Sequence, residues 1–247
     1  MWNPQQYERF KSERAQPFYD LLALVEPRPG MRVVDLGCGT GELTGLMHDQ
    51  LEAAETLGVD NSAEMLAKAS AFATGSLRFE QRAIEDFVSD EPVDLVFSNA
   101  ALHWVEDHSS LFTRLTTMIA PDGQLAVQMP FNHDHVSQRV AAELAPRFGV
   151  PPRVPPLLAP EDYASLLHSL GYARQHVRIQ VYGHLLDTAS AVIEWVKGST
   201  LTEYQRKLGE RWPEFLDAYT ERMLSELDDE RPYFFPFKRI HLWASRQ

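Results

Sequence analysis

Nine residues limit this chain more than any others. Val33-Val34-Asp35-Leu36-Gly37-Cys38-Gly39-Thr40-Gly41 runs an apolar, β-branched stretch into alternating glycines. A strand that ends this way and reopens as a helix can turn tightly and admit a ligand where Cβ atoms would otherwise stand. Some twenty residues on, Gly58-Val59-Asp60 ends a second apolar run in a carboxylate, placed to accept hydrogen bonds from a ribose diol. Together they point to an adenosine-bearing cofactor. A dinucleotide fingerprint reads G-x-G-x-x-G and seats a pyrophosphate on the helix N-terminus. Here the third glycine comes one residue early, and Asp35, just ahead of the first, repels a pyrophosphate and attracts an amino group. S-adenosylmethionine (SAM) carries such an ammonium, a carboxylate suited to helix N-terminal amides, and a ribose for Asp60.

From Met31 to Gln128 β-branched runs alternate with helical stretches, the pattern of βαβ units and a parallel sheet. Strands are expected over Arg32–Leu36, Glu55–Val59, Leu77–Gln81, Val93–Ser98 and Gly123–Gln128. Helices are expected over Glu42–Leu51, Ala63–Phe72 and Ser110–Ile119, bounded by Thr40, Ser62 and the Pro121-Asp122-Gly123 turn. Ahead of them, the spacing between Pro4 and Val25 suits two short helices. Behind them, the prolines from Pro146 to Pro160 predict an irregular segment of the kind that serves as a lid. A helix over Glu161–Leu170, a strand over Val177–Tyr182, helices over Ala189–Val196 and Phe215–Leu227, and a strand over Ile240–Ala244 complete the reading. The expectation is an α/β fold in one domain over residues 1–247, with its core at about 26–130 plus the C-terminal strands. Cap elements fall at about 1–25, 131–170 and 187–231.

No run approaches the ~18 apolar residues that span a bilayer. The formal net charge of −12 repels nucleic acid and anionic lipid. A single Cys38 forms no intrachain disulfide, and no basic-then-apolar leader opens the chain. A cytoplasmic protein with a small-molecule partner is expected, without nucleic acid or membrane.

Asp35-Leu36-Gly37-Cys38-Gly39-Thr40-Gly41 resembles the first motif of class I SAM-dependent methyltransferases. A narrower resemblance covers nearly the whole chain. Trp2-Asn3-Pro4, Tyr7, Phe10, Glu13-Arg14 and Pro17 are similar to the opening of the trans-aconitate 2-methyltransferase family. Asn99-Ala100, Leu102, Trp104, Asp107-His108, Leu111-Phe112, Pro121, Gly123, Leu125-Ala126-Val127-Gln128-Met129-Pro130 and Asn132 resemble its central signature, and Ile193, Trp195-Val196, Phe235-Pro236-Phe237 and Arg239 its later part. The resemblance implies a Rossmann-like class I methyltransferase fold: a central, mostly parallel seven-stranded sheet flanked by helices, with a helical cap. It implies SAM as cofactor, with Asp35, Gly37, Cys38, Gly39 and Gly41 lining its methionine end and Asp60 holding the ribose. Asn61 and Met65 would flank the adenine, and Asn99 would contact the methionine moiety. Where the family often has an acid after the third strand this chain has Ala83, leaving Ile84 its backbone amide and side chain. Gln16 and Thr202 stand where the family carries arginines.

A carboxylic acid acceptor loses its proton at about pH 4 and is already ionised at neutral pH, so no catalytic acid or base is expected. Alignment of oxygen, methyl carbon and sulfur in a dry site does the work. For an anionic acceptor the candidate cations are Arg14, Lys238 and Arg239, with Tyr7, His103 and Trp104 as walls. Trp104 and Trp195 also suit buried packing. His133-Asp134-His135 makes no metal site, because adjacent side chains diverge and no matching cluster accompanies them. The run from Glu226 to Arg231 reads as a solvated helix end. Besides a small organic acid such as trans-aconitate, a carrier-bound acyl group, a hydroxylated metabolite and a noncatalytic SAM-binding role stay open. The glycine spacing argues against a NAD-dependent oxidoreductase.

Overall fold

The computed structural model describes residues 15–198 and 200–247. Strands β1 (Arg32–Leu36), β2 (Glu55–Asp60), β3 (Leu77–Gln81), β4 (Val93–Asn99), β5 (Ile119–Pro130), β6 (Arg174–Leu186) and β7 (Tyr233–Ser245) form one sheet in the order β3-β2-β1-β4-β5-β7-β6. The first five pair in parallel, and β7 runs antiparallel to β5. Helices are α1 (Glu42–Gln50), α2 (Ala63–Ala69), α3 (His108–Met118), α4 (Val136–Leu144), α5 (Pro160–Ser169), α6 (Ser190–Lys197), α7 (Thr200–Leu208) and α8 (Trp212–Glu226). The chain steps outward from β1 through β2 to β3, then returns to lay β4 on the other side of β1. That reversal is a topological switch point, where the carboxyl ends of open α/β sheets bind ligands.

The described residues form two compact units. The first runs through Pro130 and adds Pro156–Gln180 and Arg239–Gln247. In its core, Phe18, Leu21 and Leu22 from helical residues 15–22 pack with Val33, Leu95, Phe97, Ala126 and Trp243. The rest of the expected Pro4–Val25 helix pair falls largely outside the described residues. Several boundaries differ from the sequence reading: β6 and β7 run well past the expected Val177–Tyr182 and Ile240–Ala244, and two further differences have local causes. α2 stops at Ala69 and tightens into a 3₁₀ turn over Ser70–Phe72. β5 starts early, because the Pro121-Asp122-Gly123 turn is absorbed as an irregularity between the pairs Val93↔Ile119 and Leu95↔Gln124.

The second unit comprises Phe131–Pro155 and Val181–Lys238. Phe215 stacks against Tyr204 (5.6 Å), Trp212 (5.9 Å) and Tyr219 (6.1 Å), and the Tyr219 hydroxyl donates to the Ser137 carbonyl at 3.0 Å. α4 and α7 are helices where the sequence reading has none. α4 opens on His135, whose Nδ1 accepts from the Ser137 N–H at 3.2 Å and caps the helix. α7 buries only Thr200, Leu201, Tyr204 and Leu208 of its nine residues, an apolar stripe too sparse for the periodicity to stand out. The proline-rich segment is irregular from Gly149 to Ala159. Within it the Arg153 N–H donates to the Tyr204 hydroxyl at 2.7 Å, and Arg153 Nε donates to Glu203 at 3.0 Å. Glu226 closes α8 paired with Arg139 and Arg222, so that end of the acidic run is bound rather than simply solvated.

Candidate cofactor and acceptor site

The loop after β1 is drawn onto the end of β2. The Gly37 and Cys38 N–H groups both donate to the Val59 carbonyl, at 2.7 and 3.0 Å. Asp60 then ties the loop to α2: its Oδ2 accepts from the Gly39 N–H and its Oδ1 from the Ser62 N–H, each at 2.9 Å. Gly37 has φ +82°, and a Cβ there would lie 2.1 Å from Ala101 Cβ, so only glycine lets the loops after β1 and β4 approach. Gly39 has φ +56° and nothing within 4 Å of a Cβ position: it faces open space.

That space is a cavity of about 390 Å³ at the switch point, lined by Gly37, Gly39, Asp60, Asn61, Ser62, Met65, Ile84, Glu85, Ala100, Ala101, Trp104 and Val105. Six positions expected at the cofactor are therefore brought together, along with Trp104. The others expected there are not in its lining. Gly41 packs the start of α1, where a Cβ would meet Ala69 and Phe79 at 2.8 Å. Ala83 precedes the 3₁₀ turn Ile84–Asp86, whose first carbonyl accepts from Arg114 Nη2 at 2.8 Å. Burial and the neighbouring carboxylates of Asp35 and Asp60 push the Cys38 thiol far up, which suits an inert small residue.

Asp35 is buried beneath the loop and accepts from the Thr44 hydroxyl at 2.6 Å. Burial pushes its carboxyl up to about 7, which the Thr44 bond opposes and the charge of Asp60 reinforces. Asn99 closes β4, and its buried Oδ1 has no hydrogen-bond partner. A costly buried carboxylate and an unpaired acceptor at neighbouring strand ends suit a cationic group. With the open face of Gly39 and the Asp60 carboxylate, they fit the ammonium and ribose of SAM.

Beyond β4 the chain makes a 3₁₀ turn over Leu102–Trp104. His108 holds it, with Nε2 3.1 Å from the Leu102 carbonyl and Nδ1 against the Tyr163 hydroxyl. Burial pushes His108 down, so the neutral ring donates to the carbonyl and accepts from the tyrosine. Trp104 is 52% exposed, so the buried-anchor reading gives way to a cavity wall. His103 lies against its ring at 4.6 Å. Trp195, by contrast, packs among His184, Phe235 and Phe237 in the second unit.

Of the candidate cations, Arg239 is buried and donates through Nη1 to Gln128 Oε1 at 3.0 Å. Lys238 pairs with Asp134, and its N–H donates to Asn132 Oδ1 at 3.1 Å. Tyr7 and Arg14 lie outside the described residues. Gln16 bonds to Asp20, and the Thr202 hydroxyl to the Lys197 carbonyl. Among the described residues no group of three His, Cys, Asp or Glu side chains could hold a metal. The sequence reading missed Thr44, His108, Tyr163 and Gln128. Two of them left a signal: His108 stands in the signature the chain resembles, and Gln128 is a lone polar residue inside the run from Leu125 to Met129.

The parallel sheet, its switch point and this loop define a class, the SAM-dependent methyltransferases. A methyltransferase domain matches residues 27–147. A SAM-dependent methyltransferase from Mesorhizobium loti superposes with a TM-score of 0.55 at 20% identity, over 93% of this chain and 97% of that one. The trans-aconitate 2-methyltransferase of Deinococcus radiodurans is 42% identical over 99% of this chain and 98% of its own length. That of Streptomyces avermitilis is 37% identical over 100% and 97%. The chain belongs to the trans-aconitate 2-methyltransferase family. Among the described residues no helix is long and apolar enough to cross a membrane.

Proposed function

We propose that the protein transfers the methyl group of SAM to a carboxylate of a small organic acid of the trans-aconitate kind, giving a methyl ester and S-adenosylhomocysteine. The observation that carries this reading is the full-length likeness to relatives that bear that activity in their names. SAM supplies a methyl carbon made electrophilic by the sulfonium. In this reading Asp60 takes the ribose, Gly37 and Gly39 let the cofactor approach the backbone, Asn61, Met65 and Ile84 border the adenine, and Asp35 and Asn99 Oδ1 face the ammonium. Asp35 acts there without lining the cavity, from within β1 just ahead of the loop.

An ionised carboxylate surrenders no proton, so the site needs alignment rather than a base. The neutral, doubly engaged His108 suits that: it positions the Leu102–Trp104 turn and leaves Trp104 and His103 as a wall. Arg239 and Arg14 are the cations we assign to the acid, with Lys238 and Tyr7 as further candidates. The whole chain acts as one catalytic domain in a cytoplasmic setting, on a free small molecule rather than a nucleic acid. The test is a mass-spectrometric assay with SAM, trans-aconitate and a panel of smaller di- and monocarboxylic acids, scoring ester and S-adenosylhomocysteine together. Ester from an acid of the panel is expected. SAM binding with no ester from any acid refutes the reading.

A further inference from the structure

Gln128 has a side chain whose hydrogen bonding is half complete. It is fully buried, and its Oε1 accepts from Arg239 Nη1 at 3.0 Å, which fixes which end of the amide faces the guanidinium. Its Nε2 has no partner. An amide nitrogen held dry with unused N–H groups is destabilising, and the neighbouring strand residues Leu125, Ala126, Val127 and Met129 are all apolar. A purely structural strand position would be filled at less cost by a similar apolar residue.

The register shows what surrounds it. Gln128 pairs with Asn99 on β4 and with His241 on β7, and paired residues project from the same face of a sheet. Asp35 lies on that face too, since it pairs with Phe97, two residues from Asn99. Arg239 pairs with Pro130, two residues beyond Gln128 toward the carboxyl end of β5. Across four adjacent strands, each about 5 Å from the next, the face passes from acceptors to donors. Asp35 and Asn99 Oδ1 on β1 and β4 attract a cation; Gln128 Nε2 and Arg239 on β5 and β7 attract an anion. His241 adds no negative charge.

We infer that Gln128 donates its side-chain amide to a carboxylate of the acceptor, with Arg239 beside it. The inference rests on the acid-acceptor reading above. The ammonium of the cofactor belongs to the β1–β4 side of this face and the acid to the β5–β7 side. That polarity keeps the two bound charges one strand apart.

The test compares wild type with Gln128→Met and Gln128→Glu, measuring kcat and KM for the best acid of the panel, SAM affinity by calorimetry, and the unfolding midpoint. For Gln128→Met, KM for the acid should rise at least tenfold and SAM affinity should stay within twofold. Its midpoint should change little, because an unsatisfied buried donor is removed at Gln128 while Arg239 Nη1 loses its acceptor. Gln128→Glu should raise KM further by setting a carboxylate against the substrate's own. An unchanged KM in both variants overturns the inference and leaves the acid-acceptor reading standing. So does a parallel loss of SAM affinity, which would assign Gln128 to the cofactor, or a drop in stability with KM and kcat moving together, which would make it structural. A wild type that binds SAM and methylates no acid overturns both readings.

Discussion

Two glycines of the same loop should separate folding from binding. Gly39→Ala puts a methyl group at φ +56° with nothing within 4 Å of it. The only folding cost is the left-handed conformation, about 1–2 kcal/mol, or ~2–8 °C in a chain of this size. The methyl group enters the cavity beside Asp60, in the space assigned to the cofactor, and SAM should bind at least tenfold more weakly. At a SAM concentration one hundred times the wild-type Kd, ligand stabilisation would then fall from about 2.7 to about 1.4 kcal/mol. Gly37→Ala adds to the same φ penalty a 2.1 Å approach to Ala101 Cβ, an overpacking cost of about 1–3 kcal/mol. Its total of about 2–5 kcal/mol lowers the midpoint by ~4–20 °C. Thermal unfolding with and without SAM, with calorimetric titration, reads both quantities. Wild-type SAM affinity in Gly39→Ala would refute the seating of the cofactor against that open face. Wild-type stability in Gly37→Ala would refute the close approach of the two loops.

Asp60→Ala should weaken SAM binding by about 1.5–3 kcal/mol, the range for hydrogen bonds to a charged group; unchanged affinity by calorimetry removes Asp60 from the ribose. The Asp35 carboxyl titrates at about 7 in the fold and near 3.9 unfolded. Its contribution to stability is therefore complete below about pH 4 and is lost as pH rises toward 7, and Asp35→Asn should flatten that slope in pH-dependent urea unfolding. Because a cation selects the ionised form, SAM affinity should be about tenfold lower at pH 6 than its limiting value; an acid limb that persists in Asp35→Asn would exclude Asp35 as its source. Tyr163→Phe leaves His108 Nδ1 without its hydroxyl and should cost about 1–3 kcal/mol in urea unfolding. A loss near zero would mean that the histidine does not need this partner to hold the Leu102–Trp104 turn.

The parallel half of the sheet was legible because its strands are short apolar runs punctuated by Thr40, Ser62 and glycines, signals that act over a few residues. The loop after β1 was legible for the same reason: Gly37 and Gly39 mark it within a few residues, and Asp60 ends the next apolar run. Pairings that depend on how the elements pack were not. Thr44 is drawn to Asp35 only when α1 folds back over β1, and Tyr163 reaches His108 across 55 residues of chain. α4 was hidden because its cap is a histidine, His135, rather than one of the usual capping residues. Gln128 and Arg239 become a pair only through the β5–β7 register, which no spacing along the sequence encodes.

That register also sets a clock for synthesis. β5 pairs on one side with β4, made just before it, and on the other with Arg239–Ser245, made about a hundred residues later. At ~5–20 residues per second, the nascent chain carries β5 for about 5–20 s with one edge unpaired. That edge belongs to the run Leu125-Ala126-Val127-Gln128-Met129, which has no charge or proline to blunt it. The yield of folded protein should therefore depend on elongation rate and on chaperones that shield exposed strand edges, and substitutions in β7 should appear first as aggregation during expression rather than as lost activity in the molecules that escape it.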